Sequence, residues 1–295
     1  MKKIINISLV ALILLSITSC YKEKPIVSVP DAPKYVLQDS DEPSRHYVYE
    51  LWQNTGTFIL EEYDTLDYKW NVAAISPNIL TKIKEEDMDE VYPKGIEFLR
   101  NVLLDQYNTE FIRKYFPTQI FLADTIDDER YEGELWDDLQ CQYGRAYLAI
   151  GRLRKDDFPK SDEELLAVKG KINAMLWANF IYHNNLYRVP ESFFTPCEDY
   201  YAQSMSNDKE HRDDLDYIQK MGFWHYDELN QSNQWMLPDR TGDVSDFIEI
   251  IVTHNEEEMT ALLKGKETLT MKYNILVGDI KTVCGVDLQA IGNAK

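Results

Sequence analysis

The sequence predicts an α+β fold from the order in which strand-like and helix-like patterns occur. Runs with the alternation typical of β-strands lie before residue 154, whereas apolar residues recur at helical spacing from Ser161 onward. No strand–helix–strand unit repeats along the chain, which argues against a doubly wound parallel sheet. We therefore expect early strands and a mainly helical C-terminal half.

Residues 1–19 have the features of a secretory signal peptide. Two lysines precede an apolar run from Ile4 to Ile17, which is shorter than the roughly 20 residues of a transmembrane helix. The run ends in Ile-Thr-Ser-Cys, which resembles a bacterial lipobox. Cys20 is accordingly predicted to be lipidated and to become the mature N-terminus. The alternative is an ordinary signal peptide followed by a chance cysteine.

The segment after the signal peptide is predicted to be a tether. Residues 20–45 contain four prolines and no sustained hydrophobic period, as expected for an extended linker. The remaining stretch, 46–295, shows no internal repeat and no second linker. It fits one large domain.

The charge balance restricts the partners. The chain has 31 Lys and Arg residues against 51 Asp and Glu residues, a formal net charge of −20. A protein of this charge repels nucleic acid and anionic lipid headgroups. We therefore expect no nucleic-acid partner and no electrostatic attraction to a membrane surface.

The elements before residue 154 follow from hydrophobic periodicity and from the positions of breakers. The sequence predicts a helix over 43–55, strands around a turn within 56–72, an amphipathic helix over 88–116 interrupted near Asn108, and short strands within 117–126 and 140–153.

The helical half opens with a long predicted helix over 161–185. Ser161 is followed three residues later by Glu164, which is a capping-box pattern. Further helices are predicted over 208–221, 243–254 and 256–283.

Five segments, in this order, resemble a known family. They are "YELWQNTGTFILEEYDTLDYKWN" (49–71), "FIYHNNLYRVPESF" (180–193), "MGFWHYDEL" (221–229), "VSDFIEIIVTH" (244–254) and the C-terminal helix with its hydrophobic tail (264–291). Their order resembles the zinc-binding metallopeptidase lipoproteins found beside outer-membrane nutrient-import systems of Gram-negative bacteria. The resemblance implies a zincin-like metallopeptidase fold, in which a zinc-ligand helix carries HEFxHxxHQ.

Carried over residue by residue, the resemblance implies that the zinc chemistry is lost. Aligning His183 with the last histidine of the motif puts Leu176 and Phe180 at the two zinc-ligand positions. Trp177 then stands at the catalytic glutamate and Ser245 at the third ligand. The mechanism needs two imidazoles at i and i+4 and a carboxylate base, so no catalytic residue and no zinc cofactor is expected.

Helical spacing places Ile172, Leu176, Phe180 and His183 on one face of the predicted helix. We expect this face to pack as core against the helix that contains Phe247. An accidental match, with 161–185 simply a core helix, remains the alternative.

Other residues offer a weaker route to a metal. No two of the five histidines are spaced at i+3 or i+4. A substitute zinc site would have to draw on His183, His225, Asp246 and Glu249.

Three aromatic residues are candidates for contact with a ligand. Trp224, Tyr226 and Trp235 lie in a polar segment that has the composition of a loop beside a cleft. Their rings are suited to stacking against a glycan or peptide ligand, and the alternative is that they belong to the core.

The cysteines other than Cys20 are odd in number. Cys141, Cys197 and Cys284 allow at most one intramolecular disulfide, and the sequence leaves its pairing open.

The leading hypothesis is a lipid-anchored protein of the outer membrane, on its periplasmic side or on the cell surface. It would be an inactive metallopeptidase-like component of a nutrient-uptake system, with a transporter as possible partner. The alternatives are an active zinc hydrolase with non-standard ligands and a structural envelope lipoprotein.

Overall fold

The computed structural model describes residues 34–69, 78–128, 137–226 and 235–294. The chain divides into two compact units, Met1–Leu37 and Gln38–Lys295, and the fold below is that of the second unit. The predicted signal peptide and Cys20 lie outside the described residues.

Helix α1 (Pro43–Thr55) begins within the predicted tether and confirms the helix expected over 43–55. Glu42 caps it, because its carboxylate accepts hydrogen bonds from the backbone N–H groups of Ser44 and Arg45. Pro43 occupies the first turn, where its missing N–H costs nothing. The helix ends at Gly56, whose φ of 82° is the left-handed conformation that glycine adopts readily.

The described strands form a mixed five-stranded sheet. They are β1 (Phe58–Leu60), β2 (Asn78–Lys82), β3 (Gln119–Asp128), β4 (Cys141–Tyr143) and β5 (Tyr147–Ile150). The order is β1-β3-β5-β4, and β2 also pairs with β3. Strands β1 and β5 run parallel to β3, while β2 pairs antiparallel with β3 and β4 antiparallel with β5. The strands predicted within 117–126 and 140–153 are thereby confirmed.

Strand β3 is the centre of the sheet. Its residues Ile120 to Ala123 are completely buried, as is the segment Leu148 to Ile150 of β5. Continuous burial is expected of parallel strands that are covered on both faces.

One predicted strand is wrong. The segment after β1 forms a short helix, α2 (Thr65–Tyr68). Asp64 and Asp67 make a reciprocal capping box at its start, and these local hydrogen bonds satisfy backbone groups that a strand would have needed to pair elsewhere.

The predicted interruption near Asn108 is confirmed. Helix α3 (Met88–Val102) is followed by a 3₁₀ turn (Leu104–Gln106) and by α4 (Thr109–Tyr115). The Asn108 side chain accepts the backbone N–H of Phe111 and so starts α4.

The helix predicted over 161–185 is present but changes its winding. Helix α5 (Asp162–Ala174) continues directly into a π-helix (Met175–Tyr182). Ser161 caps α5 by accepting the N–H of Glu164, whereas the Glu164 carboxylate accepts the N–H of Lys160 instead of that of Ser161. The reciprocal half of the expected capping box is therefore displaced by one residue.

Of the remaining predicted helices, the one over 243–254 is present with similar bounds, whereas those over 208–221 and 256–283 are shortened or divided by polar caps and glycines. The observed helices are α6 (Glu191–Phe194) with a following 3₁₀ turn (Thr195–Cys197), α7 (Leu215–Met221), α8 (Arg240–Thr253), α9 (Glu256–Leu263), α10 (Glu267–Cys284) and α11 (Leu288–Asn293). The helix predicted over 256–283 is thus two helices, with Gly265 at φ 77° between them.

Strands in the first half and helices in the second confirm the α+β class. None of the helices in the described ranges is long and apolar enough to span a bilayer.

Candidate functional site

The segment that resembles a zinc-ligand helix lies in the core. Helix α8 packs against both α5 and the π-helix. Gly170 allows the close approach, since a Cβ atom there would lie 2.8 Å from Thr253 Cγ2 and 2.9 Å from Glu249 Cγ. The expected packing of the 161–185 segment against the Phe247 helix is present.

Leu176 and Phe180, which the resemblance aligns with the two zinc ligands, are buried apolar side chains. Ile172 is buried with them, but His183 is exposed. A π-helix has more residues per turn than an α-helix, so helical spacing does not carry the buried face as far as residue 183. The prediction that His183 shares this face is wrong.

Trp177, which the resemblance aligns with the catalytic glutamate, is held by a buried hydrogen-bond network. Its side chain is 1% exposed. Its Nε1–H donates to the Tyr107 hydroxyl at 2.8 Å, and that hydroxyl donates to Asn173 Oδ1 at 2.6 Å. The Asn173 amide nitrogen in turn donates to the carbonyls of Val102 and Lys169 at 2.9 and 2.7 Å. We call Tyr107, Asn173 and Trp177 the Trp177 network.

Aromatic packing completes the surroundings of the Trp177 network. The Trp177 ring lies 5.1 Å from the Phe111 ring and 6.1 Å from the Tyr187 ring, the latter edge to face. Burial raises the pKa of Tyr107 well above its ordinary value, so the hydroxyl stays protonated and keeps its donor role. Every polar atom named in this network has a partner. The Trp177 network therefore has the paired polar groups and close ring packing of a protein core.

The residues at the motif positions do not fit a zinc ion. Leu176 and Phe180 have no lone pair to donate, and an indole N–H is a donor only. Ser245, which the resemblance aligns with the third ligand, is partly buried on α8. Within the four described stretches no three His, Cys, Asp or Glu side chains form a group that would hold a metal ion.

The substitute ligands proposed from the sequence are placed as follows. His183 is exposed and its ring meets Tyr143 edge to face, with centroids 6.0 Å apart. His225, Asp246 and Glu249 are partly buried.

A buried ion pair lies deeper in the helical half, and sequence reasoning missed it. Lys272 on α10 and Asp243 on α8 are both 0% exposed. The Lys272 ammonium donates to both carboxylate oxygens of Asp243, at 2.8 and 2.6 Å, and to the Gly222 carbonyl at 2.8 Å. The Tyr201 hydroxyl donates to Asp243 Oδ2 at 2.6 Å. Lys272, Asp243, Tyr201 and Gly222 are called the ion-pair centre below.

Aromatic rings surround the Lys272 ammonium. It lies 4.7 Å from the Phe193 centroid and 5.0 Å from those of Phe223 and Phe247. Such cation–π contacts add to the charge-assisted hydrogen bonds in a water-free interior. Burial raises the pKa of Asp243, and the contact with the Lys272 ammonium opposes that rise.

One signal in the sequence could have indicated this lysine. Lys272 falls between Leu269 and Leu276 at helical spacing, so it stands on the apolar face of its helix. A lysine in that position is almost never buried without a partner. Its partner lies 29 residues away in sequence, and no local pattern identifies it.

The predicted ligand-stacking residues are not equivalent. Trp224 is 2% exposed and its ring packs edge to face on Phe247 at 5.6 Å, so it belongs to the core. Tyr226 is partly buried. The Trp235 N–H donates to Asp213, and the Arg212 guanidinium lies over its ring at 4.1 Å. Tyr226 and Trp235 remain as candidates for contact with a ligand.

The three cysteines of the described residues are all free thiols. Cys141 contacts the Lys171 carbonyl, Cys197 contacts the Met221 carbonyl, and Cys284 lies near the end of α10. No intramolecular disulfide joins them.

Comparison with known proteins gives a fold relationship. No family model matches this sequence, and no curated protein matches it. Among solved structures, the chain is similar to the crystal structure of "a putative zinc-binding metallo-peptidase" from Bacteroides caccae ATCC 43185. The TM-score is 0.54 at 13% sequence identity, and the match covers 88% of this chain and 94% of that chain. At this identity the likeness concerns the fold alone, so this chain has a metallopeptidase-like α+β fold.

Proposed function

We propose that this protein is a lipid-anchored cell-envelope protein that keeps a metallopeptidase-like fold without a working zinc centre. Its role is that of a binding or accessory component of an outer-membrane nutrient-uptake system. The observation that carries the inactive part of this proposal is the Trp177 network. The Trp177 indole, which is hydrogen-bonded to Tyr107, belongs to the residue that the resemblance aligns with the carboxylate base of a zincin.

The proposal has separate supports for its other parts. The anchor rests on the lipobox-like sequence that ends at Cys20. The association with nutrient uptake rests on the order of the five family-like segments. A peptide or glycan ligand is proposed for the partly buried rings of Tyr226 and Trp235, since aromatic rings stack on both kinds of ligand.

The test of inactivity uses the purified mature protein and a mixed fluorogenic peptide library, with and without a zinc chelator. We expect no chelator-sensitive cleavage. Cleavage that is abolished by the chelator and by Glu249→Gln or His183→Ala would establish instead an active hydrolase with non-standard ligands.

A matched variant restores the motif as Leu176→His, Trp177→Glu, Phe180→His and Ser245→Glu. It introduces polar groups into a packed apolar region, so we expect the free energy of unfolding to fall by several kcal/mol. A gain of chelator-sensitive zinc binding by this variant, and not by the parent, would show that the alignment identifies the lost site.

The anchor is tested independently by Cys20→Ala in cells. We expect the protein to leave the membrane fraction and to lose acyl labelling. Unchanged membrane association and labelling would remove the lipoprotein part of the proposal. If the protein proves to be lipid-anchored, its purification from membranes without an associated outer-membrane transporter would favour a purely structural lipoprotein.

A further inference from the structure

Cys197 and Lys272 bring a thiol and an amine into contact in the interior. The Lys272 Nζ atom lies 3.7 Å from Cys197 Sγ, and both side chains are completely buried. The two residues are 75 positions apart in sequence, on the 3₁₀ turn after α6 and on α10.

The backbone after α7 holds the two groups against each other. Cys197 Sγ lies 3.3 Å from the Met221 carbonyl oxygen and 3.9 Å from that of Gly222, and the Gly222 oxygen also accepts from Lys272 Nζ. Gly222 has φ 109°, and a Cβ atom there would lie 2.8 Å from Cys197 Sγ. A glycine is therefore required for the chain to approach the thiol this closely.

Aromatic rings restrict the amine from the other directions. Phe193, Phe223 and Phe247 lie around the ammonium. The Sγ and Nζ atoms are thus fixed in van der Waals contact, with both side chains ordered before any reaction. Such preorganisation is what converts a slow reaction between two groups into an efficient intramolecular one.

We propose that Cys197 and Lys272 form a covalent sulfur–oxygen–nitrogen crosslink when the protein is oxidised by dioxygen. The bridge would make this centre a redox-sensitive modification site. This proposal rests on the geometry of the thiol and the amine, and it does not depend on whether the protein binds zinc.

The reaction balances with one molecule of dioxygen. The thiol S–H bond and one N–H bond of the neutral amine break, and S–O and O–N bonds form. One oxygen atom becomes the bridge, and the other leaves as water with the two hydrogens. Sulfur and nitrogen each lose two electrons, and dioxygen accepts all four.

The Lys272 ammonium must lose a proton before its nitrogen can react, and the neighbouring Asp243 carboxylate can accept that proton. Asp243 Oδ2 lies 2.6 Å from Lys272 Nζ, so the ammonium proton moves along an existing hydrogen bond. The crosslinked nitrogen no longer carries a positive charge, and Asp243 keeps the proton in the oxidised state. Burial favours a neutral carboxyl group at this position.

The geometry favours an oxygen bridge over a direct sulfur–nitrogen bond. The sulfur and nitrogen atoms lie 3.7 Å apart, and they need to approach each other only slightly for one oxygen atom to bridge them. A direct bond would require a much larger movement of two side chains that are packed on all sides. Cys141 and Cys284 serve as comparisons: the Cys141 thiol contacts the Lys171 carbonyl, and Cys284 lies beside Tyr115 and Lys114.

The experiment uses the full mature protein prepared in air and under anaerobic conditions. Each sample is denatured without reductant, alkylated with iodoacetamide and digested for mass spectrometry. We expect the aerobic sample to contain two peptides crosslinked through Cys197 and Lys272. The mass of this species should exceed the sum of the two peptide masses by that of one oxygen atom minus two hydrogen atoms. The anaerobic sample and a dithiothreitol-treated aerobic sample should lack it.

Two cysteine variants provide controls in the same assay. Cys197→Ser should abolish the crosslink, and Cys141→Ser should retain it because Cys141 is buried elsewhere. Complete alkylation of Cys197 in the aerobic parent protein would overturn the proposal. Oxidation of Cys197 to a sulfenic or sulfinic acid with Lys272 unmodified would overturn it equally.

Discussion

The Trp177 network and the ion-pair centre are two buried polar regions that satisfy their polar groups in different ways. The Trp177 network is neutral, and each of its groups donates or accepts within a chain of hydrogen bonds. The ion-pair centre buries a full positive and a full negative charge and surrounds them with aromatic rings. The first region includes Trp177 on the segment that resembles a zinc-ligand helix, and the second is built from residues to which the resemblance assigns no role.

The difference indicates how each region should respond to substitution. Neutral polar groups cost little to bury once they are paired, so the Trp177 network should tolerate the loss of one group comparatively well. A buried ion pair cannot be dismantled one residue at a time, because removing either partner leaves an uncompensated charge. We therefore infer that the ion-pair centre is the less replaceable of the two regions.

The largest expected effect is at the ion-pair centre. Lys272→Met leaves Asp243 buried without its cation and should lower the free energy of unfolding by about 3–5 kcal/mol. Urea unfolding followed by tryptophan fluorescence measures it. The double variant Lys272→Met with Asp243→Leu should recover much of this loss, since no charge is left buried. A double variant as unstable as the single one would show that packing, and not charge, sets the effect.

The Trp177 network should be less sensitive. Tyr107→Phe removes one hydroxyl and leaves the Trp177 N–H and one Asn173 oxygen unpaired, which should cost about 1–3 kcal/mol. Tyr47→Phe is the control, because the Tyr47 hydroxyl donates to Asp105 at the surface, and a change within about 0.5 kcal/mol is expected. Equal effects of the two substitutions in urea unfolding would contradict a structural role for the Tyr107 hydroxyl.

The backbone at the ion-pair centre gives a smaller effect. Gly222→Ala places a Cβ at a left-handed residue, 2.5 Å from Thr268 Cγ2, and should destabilise the protein by about 1–2 kcal/mol. Gly278→Ala, on α10 with nothing within 4 Å of a new Cβ, should instead stabilise it by about 0.5–1 kcal/mol. Thermal unfolding of the pair checks the opposite signs.

The smallest effect on stability near neutral pH concerns Cys141, whose thiol contacts the Lys171 carbonyl on α5. Burial raises the pKa of the Cys141 thiol to about 12. An unfolded thiol titrates near pH 8.5, so its ionisation favours the unfolded state. The stability contribution is complete below that pH and is lost as pH rises toward 12. At pH 8, iodoacetamide should modify Cys141 far more slowly in native protein than in urea, and equal rates would contradict the burial.

Local signals in the sequence were sufficient for part of the fold. Pro43 and Gly56 bound α1 because they act through their own backbone conformation. Asn108 divides two helices for the same local reason. The helix at Thr65 was missed because the Asp64–Asp67 capping box outweighed a weak alternation of apolar residues.

The interior depends on partners that are distant in sequence. Residues 175–182 are too uniformly apolar to distinguish a π-helix from an α-helix, so the exposure of His183 could not be foreseen. Trp177 is paired with Tyr107, 70 residues earlier, and no spacing rule connects them. The resemblance aligns Trp177 with a catalytic glutamate, but only the three-dimensional structure shows the hydrogen bonds that the Trp177 side chain makes.

The central claim is that the motif positions form core and not a zinc site. Its most direct test is the zinc content of the purified mature protein, measured by elemental analysis after exchange into buffer with added zinc and removal of the excess. The account predicts zinc far below a stoichiometric amount, and the same value for Trp177→Phe as for the parent. Stoichiometric zinc that is lost on mutating His183 or Glu249 would contradict it.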